Sequence, residues 1–148
     1  MMKKVGVISL LALVLASCEA APPVKPMALG IDPHKPQVDV TVDSGTGATN
    51  ITAPDTLYFP SNERCKDTTI TWHLSAPPGH RFHGGTGIQF GPDADGDIVG
   101  CHYVDKDGTY ECTNKHCKGP YPRTYEYVIT VDDKDGHPHR KDPAIANN

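Results

Sequence analysis

No apolar run in this 148-residue sequence is long enough to span a bilayer: the longest, residues 5–15, falls well short of the ~20 residues that a ~30 Å hydrocarbon core demands. Basic clusters are lacking as well. The formal charge is −4, and setting aside Lys3 and Lys4 leaves 12 Lys and Arg against 18 Asp and Glu, a balance of −6. A mildly acidic surface of this kind excludes nucleic acid as a partner. Leu and Ala are scarce after the first apolar run, whereas Gly and Pro number fourteen each, which argues against a helical bundle and for short strands joined by turns. There is no G-x-S-x-G, no H-E-x-x-H, no phosphate loop and no Cys-x-x-Cys pair. An enzyme is therefore the last of the functional readings.

What the chain does have begins at its start. Residues 1–4 are positively charged, residues 5–15 are apolar, and Leu15-Ala16-Ser17-Cys18 follows directly. A short apolar segment behind a basic start is a secretory signal. The four residues after it resemble the lipobox of bacterial lipoproteins, in which small residues precede a cysteine. That resemblance implies cleavage before Cys18, a diacylglyceryl group on its thiol and an acylated amine. Two or three acyl chains, at ~0.8 kcal/mol per buried CH₂, anchor stably where one would not. Glu19 stands where enteric inner-membrane lipoproteins carry Asp, so the outer membrane, facing the periplasm, is the favoured address. The expected division is a signal over 1–17, a lipidated Cys18 with tether over 18–36, and one domain over 37–148.

The tether contains Pro22, Pro23, Pro26, Pro33 and Pro36 and has no apolar periodicity, as an extended spacer should. Alternation starts immediately beyond it. Val38, Val40 and Val42 share a strand face, Leu57-Tyr58-Phe59 is stopped by Pro60, and residues 68–74 place Ile70, Trp72 and Leu74 inward. Residues 98–104 and 109–113 flank Asp105-Lys106-Asp107-Gly108, a hairpin loop. Residues 124–131 form the longest strand, with Tyr125, Tyr127, Ile129 and Val131 on one face, and run into the turn 132–136. Six or seven such strands suggest an all-β fold, a small antiparallel β-sandwich of Greek-key, Ig-like or cupredoxin-like type. Trp72, the single tryptophan, and both tyrosines belong in its core.

Cys18 takes the lipid, so Cys65, Cys101, Cys112 and Cys117 remain, an even number in an oxidising compartment. A four-residue loop at 105–108 sets Val104 opposite Thr109 and Cys101 opposite Cys112, within bridging distance. Cys65–Cys117 is then the second bond. Cys112–Cys117 with Cys65–Cys101 is the alternative.

Eight histidines follow the signal, and two pairs have chelating separations, His80-x-x-His83 and His137-x-His139. Both lie in Gly- and Pro-rich segments without a rigid element to fix them, which makes casual metal contact the default reading. Gly108-Thr109-Tyr110-Glu111-Cys112 with His116 resembles the last strand and loop of cupredoxins. That resemblance implies a copper site built from Cys112, His116 and an upstream imidazole from His73, His80 or His83. No methionine follows His116, however, so the axial ligand is missing. Asp93-Ala94-Asp95-Gly96-Asp97 alternates carboxylates as calcium loops do. Its glycine is one place early and no terminal Glu follows, so a solvated acidic turn accounts for it.

The segments Thr69-Ile70-Thr71-Trp72 to Gly87-Ile88-Gln89-Phe90, Tyr125 to Val131, and Asp142-Pro143-Ala144-Ile145-Ala146-Asn147 resemble a group of small proteobacterial proteins. That group pairs a "tWxls" strand with a "YxYxVxV" strand and a closing "DPxIxN". The resemblance implies a shared β-domain, with the tail returning along the sandwich over Ile145, and no activity. The leading expectation is thus a lipid-anchored, non-catalytic β-domain that binds an envelope protein or glycan, with copper binding second. Cys18→Ala should abolish incorporation of a clickable palmitate and leave the precursor uncut or miscut. Equal labelling of the variant would contradict lipidation at Cys18.

Overall fold

The computed structural model describes residues 36–45, 48–105 and 108–148. The expected signal, Cys18, His34 and the tether before Pro36 lie outside the described residues, as do Thr46, Lys106 and Asp107 of the expected turns. Eleven strands occur among the described residues: β1 (Gln37–Asp43), β2 (Asn50–Thr52), β3 (Thr56–Phe59), β4 (Thr68–Ser75), β5 (Arg81–Phe82), β6 (Ile88–Phe90), β7 (Ile98–Asp105), β8 (Thr109–Asn114), β9 (Arg123–Asp132), β10 (Pro138–Lys141) and β11 (Ala144–Asn147). They form a sandwich of two sheets, one ordered β2-β1-β4-β8-β7 and the other β10-β9-β11-β3, with β5 and β6 also paired to β9. The expectation of a purely antiparallel sandwich needs correcting. β1 runs parallel to β4 and β11 runs parallel to β3, because in each case the chain travels through the opposite sheet before returning.

The apolar alternation read from the sequence puts the core where expected. Val38, Val40, Ile70, Trp72, Tyr110 and Cys112 line the inner face of the first sheet and are buried. Leu57, Phe59, Tyr125, Tyr127, Ile129, Val131 and Ile145 oppose them from the second. Trp72 spans the gap: its indole Nε1 donates to the Tyr127 hydroxyl at 3.3 Å, and the two rings meet edge-on at 5.7 Å. Buried Tyr127 keeps its proton, its pKa pushed up to about 12 by burial, so it remains a neutral partner for the indole.

β9 organises the second sheet. At Ile129 and Val131 it has partners on both sides, Lys141 and His139 of β10 and Ile88 and Phe82 of β6 and β5. Toward its start it pairs with β11, whose Ile145 is fully buried as the returning tail requires. One tight approach fixes this arrangement. A Cβ on Gly87 would lie 2.6 Å from the Phe82 Cβ, so only glycine lets the β5–β6 segment fold back. Gly100 sits at φ +65° beside a register shift in the β7–β8 pair.

A second shift, between Tyr103 and Asp105, changes one detail of the hairpin. His102 faces Glu111 and Tyr103 faces Tyr110, but Asp105, not Val104, faces Thr109. One extra residue in β7 pushes Val104 out of register, as a bulge does, and leaves it 51% exposed. The cysteines are joined Cys101–Cys112 and Cys65–Cys117, with Cα atoms 4.1 and 4.5 Å apart.

At the Cys65–Cys117 end lies a buried polar hub. Asp97 is fully buried; one carboxylate oxygen accepts from Cys117 N at 2.7 Å and Lys118 N at 3.0 Å, the other from the Tyr125 hydroxyl at 2.7 Å and Asn147 Nδ2 at 3.3 Å. Asn147 in turn accepts from Asn114 Nδ2 at 2.9 Å, so β8 of one sheet is joined to β11 of the other. Burial alone would raise the Asp97 pKa, but these hydrogen bonds outweigh it and hold the carboxyl below its ordinary range. Cys65 and His116 take left-handed backbone, φ 55° and 47°, a conformation that costs non-glycine residues ~1 kcal/mol or more. The Cys65 N to His116 O bond of 3.0 Å and the adjoining disulfide hold both in place.

Removing Trp72 tests the packing. Trp72→Ala empties the centre of the sandwich and strands the Tyr127 hydroxyl, a change worth ~3–5 kcal/mol. The oxidised mature protein should then melt at least ~10 °C lower. A fall of only a degree or two would show that Trp72 does not carry the core.

Candidate functional site

The end of the sandwich away from the hub gathers four histidines, both pairs noted in the sequence, around Asp132 and Asp133 at the close of β9. β5 separates His80 from His83, and β10 contains His139. The expectation that neither pair has a rigid element is therefore corrected: two-residue β5 and four-residue β10 were too short to show any periodicity, yet each pairs with the longest strand in the fold.

Asp132 and Asp133 point into different surroundings. Asp132 is buried at 5% exposure although it sits on the face of β9 opposite the core residues. One of its oxygens lies 2.6 Å from His83 Nδ1 and the other 3.8 Å from Arg81 Nε. A carboxylate on Nδ1 fixes the imidazole's orientation and leaves Nε2 to face other groups. His83 and Arg81 are 45% and 68% exposed at their side chains, so the buried acid presents two partly exposed nitrogen-bearing groups to the outside.

Those two groups border a groove of about 620 Å³ lined by Arg81, Phe82, His83, Gly84, Gly85, Tyr103 and Asp132. It bridges the open side of the sandwich, where β7, an edge of the first sheet, meets β5 of the second. Two phenols tie that side together. The Tyr103 hydroxyl donates to the Phe82 carbonyl, and the Tyr110 hydroxyl donates to the Gly85 carbonyl at 3.2 Å. The Phe82, Tyr103 and Tyr110 rings contact one another at 5.0–6.4 Å. Burial first, then Tyr110 and Asp132, push the Tyr103 pKa up to about 12, so it stays a donor. A Cβ on Gly85 would meet nothing within 4 Å, so this lining residue can take a larger side chain without a clash.

Asp133 organises the β9–β10 turn. One oxygen accepts from the backbone of Asp135 and His137, each at 2.9 Å; the other lies 3.1 Å from His139 Nε2 and 3.4 Å from His137 Nδ1. The His137 backbone bond, followed by His139, holds its carboxyl far below the usual carboxylate range. Ligand atoms of Asp133, Asp135 and His137 all fall within 4.8 Å of one another, the single such group among the described residues.

The copper set suggested by the cupredoxin-like segment is not brought together. Cys112 is bonded to Cys101 and so has no thiolate. His73 sits on β4 beside Thr109, His80 Nδ1 donates to the Pro77 carbonyl, His83 holds Asp132, and His116 is buried 3.1 Å from the Asn148 carbonyl. The acidic turn at 93–97 also differs from expectation, since Asp97 is buried and bound rather than solvated. Arg81, Tyr103 and Asp132 carried no signal in the sequence. Asp132 was read as the first residue of an acidic turn, whereas it is the last residue of β9, where β5 and β10 pair with it.

Compared with known proteins, the chain matches no family model and no curated sequence.

Proposed function

We propose that this chain is a lipid-anchored protein of the bacterial envelope whose β-sandwich binds an envelope glycan in the groove between β5 and β7. The address rests on the signal and Leu15-Ala16-Ser17-Cys18. The ligand class rests on one observation: an aromatic-lined groove of about 620 Å³ bordered by an imidazole and a guanidinium that a buried aspartate holds in place. Volumes of roughly 300–1,000 Å³ suit small ligands and single sugar units. Phe82 and Tyr103 supply apolar surface for the C–H face of a sugar ring. Both Asp132 oxygens are already engaged, which leaves the Arg81 guanidinium as a donor and His83 Nε2 as a second polar contact, and a saccharide offers acceptor oxygens and hydroxyl groups to both.

The groove is rigid for a physical reason. His83 is oriented by Asp132, and the loop carrying it is pinned by the Tyr110 bond to Gly85. Preorganised contacts of this kind lose little entropy on binding.

The test is binding of the mature, tag-free protein to an array of envelope saccharides, beside Gly85→Leu and His83→Ala. Discrete sugar binding should fall at least tenfold in both variants while their melting temperatures stay within a few degrees of the parent. Absence of saccharide binding, or binding indifferent to Gly85→Leu, would contradict the glycan reading and leave the lipid anchor to its own test at Cys18.

A further inference from the structure

We propose that the β9–β10 turn is a binding site for one divalent transition-metal ion of the zinc class, held by Asp133, Asp135 and His137, with His139 positioning the Asp133 carboxylate. The site is separate from the groove and does not depend on what the groove binds. Imidazole and carboxylate together are the ligand set that Zn²⁺ and its neighbours favour over Mg²⁺ or Ca²⁺.

The spacing fits. Two ligands at ~2.0–2.1 Å from a tetrahedral zinc stand roughly 3.3 Å apart. The Asp133 oxygen lies 3.4 Å from His137 Nδ1, and His139 Nε2 holds it at 3.1 Å. A metal thus takes the place of the proton that now bridges Asp133 and His137, and its binding releases protons from any imidazolium it displaces. Asp135 brings a second carboxylate within 4.8 Å of the Asp133 and His137 ligand atoms. The frame is built before any ion arrives. The free oxygen of Asp133 is fixed because its other oxygen holds two backbone N–H groups of the same turn, and His139 is paired through β10 to Val131.

A second observation, outside the turn, points the same way. His80 lies on a cavity of about 320 Å³ with Asp133, Lys134 and Asp135. Its Nδ1 is 3.0 Å from the Pro77 carbonyl, which can only accept, so Nδ1 carries the proton and Nε2 keeps its lone pair. That Nε2 is shielded from solvent and has no hydrogen-bond partner among the described residues. An imidazole with one nitrogen tied to a backbone carbonyl and the other unspent is in the state that metal-ligating histidines adopt. One group opposes the ion: the Lys134 ammonium sits 2.6 Å from Asp135 and competes for the same carboxylate.

Zinc titration of the tag-free, detergent-solubilised mature protein against a chromophoric chelator tests this, with Co²⁺ absorption as a report of ligand geometry. One equivalent should bind. Affinity should fall at least tenfold in His137→Ala and in His139→Ala, and rise in Lys134→Ala, which a purely structural role for the turn does not produce. Co²⁺ should give a visible spectrum that both histidine variants lose. Binding of several weak equivalents, or affinity unchanged in both histidine variants, marks an adventitious ion only and overturns the site. A Lys134→Ala variant that binds no more tightly removes Asp135 from the ligand set and overturns the assignment.

Discussion

A single buried carboxylate, Asp97, sets the conditions for the rest of this fold. Among the described residues its hydrogen-bond partners are two backbone amides, a phenol and a carboxamide, none of them a cation. A buried charge without such bonds is costly enough to disrupt a small domain. Because its four donors come from the 117–118 loop, β9 and β11, all of these must be in place together. Asn114 extends the same network into the other sheet. Two layers whose shared core is largely apolar are thereby locked in one register at one end.

The consequence reaches the other end through β9. Tyr125 is bound to Asp97 near the start of that strand, and Asp132 and Asp133 lie at its close, seven residues or roughly 23 Å away at strand rise. One terminus of the strand is stapled by the hub and the Cys65–Cys117 bond. The other is held by shorter pairings, two residues of β5 and four of β10. Polar side chains have different roles at the two ends. Asp97 spends all its bonds on the protein itself, whereas Asp132 and Asp133 use theirs to orient Arg81, His83, His137 and His139 toward the outside. The buried hub presents nothing outward, whereas the far end of β9, paired on both sides, presents side chains to solvent.

The distinction also explains what could be read from the sequence. Long alternating strands such as β1, β4 and β9 announce themselves because apolar residues at every second position have one structural explanation. Opposed Cys101 and Cys112 followed from the hairpin loop, although a bulge moved Val104 out of the expected pair. β2, β5, β6, β10 and β11 were not legible, since runs of two to four residues contain no period and form only against strands already present. The candidate site was half-visible. His80-x-x-His83 and His137-x-His139 stood out by spacing, but their meeting depends on β5 pairing with the far end of β9. Asp97 was misread as a solvated turn because an acidic run beside glycine looks the same whether or not a later strand covers it.

Thermal unfolding of the oxidised mature protein and Asp97→Asn from pH 7 to pH 3 tests the hub most directly. The Asp97 pKa is lowered in the folded state, so its contribution is complete above its unfolded value of ~3.9 and is lost as pH falls through the folded one. An amide at this position must turn its NH₂ against existing donors, so Asp97→Asn should cost ~2 kcal/mol or more at pH 7. The difference between the two proteins should then shrink toward pH 3. Equal melting temperatures at pH 7, or a gap that does not change with pH, would contradict an ionised Asp97 as the constraint on which the fold depends.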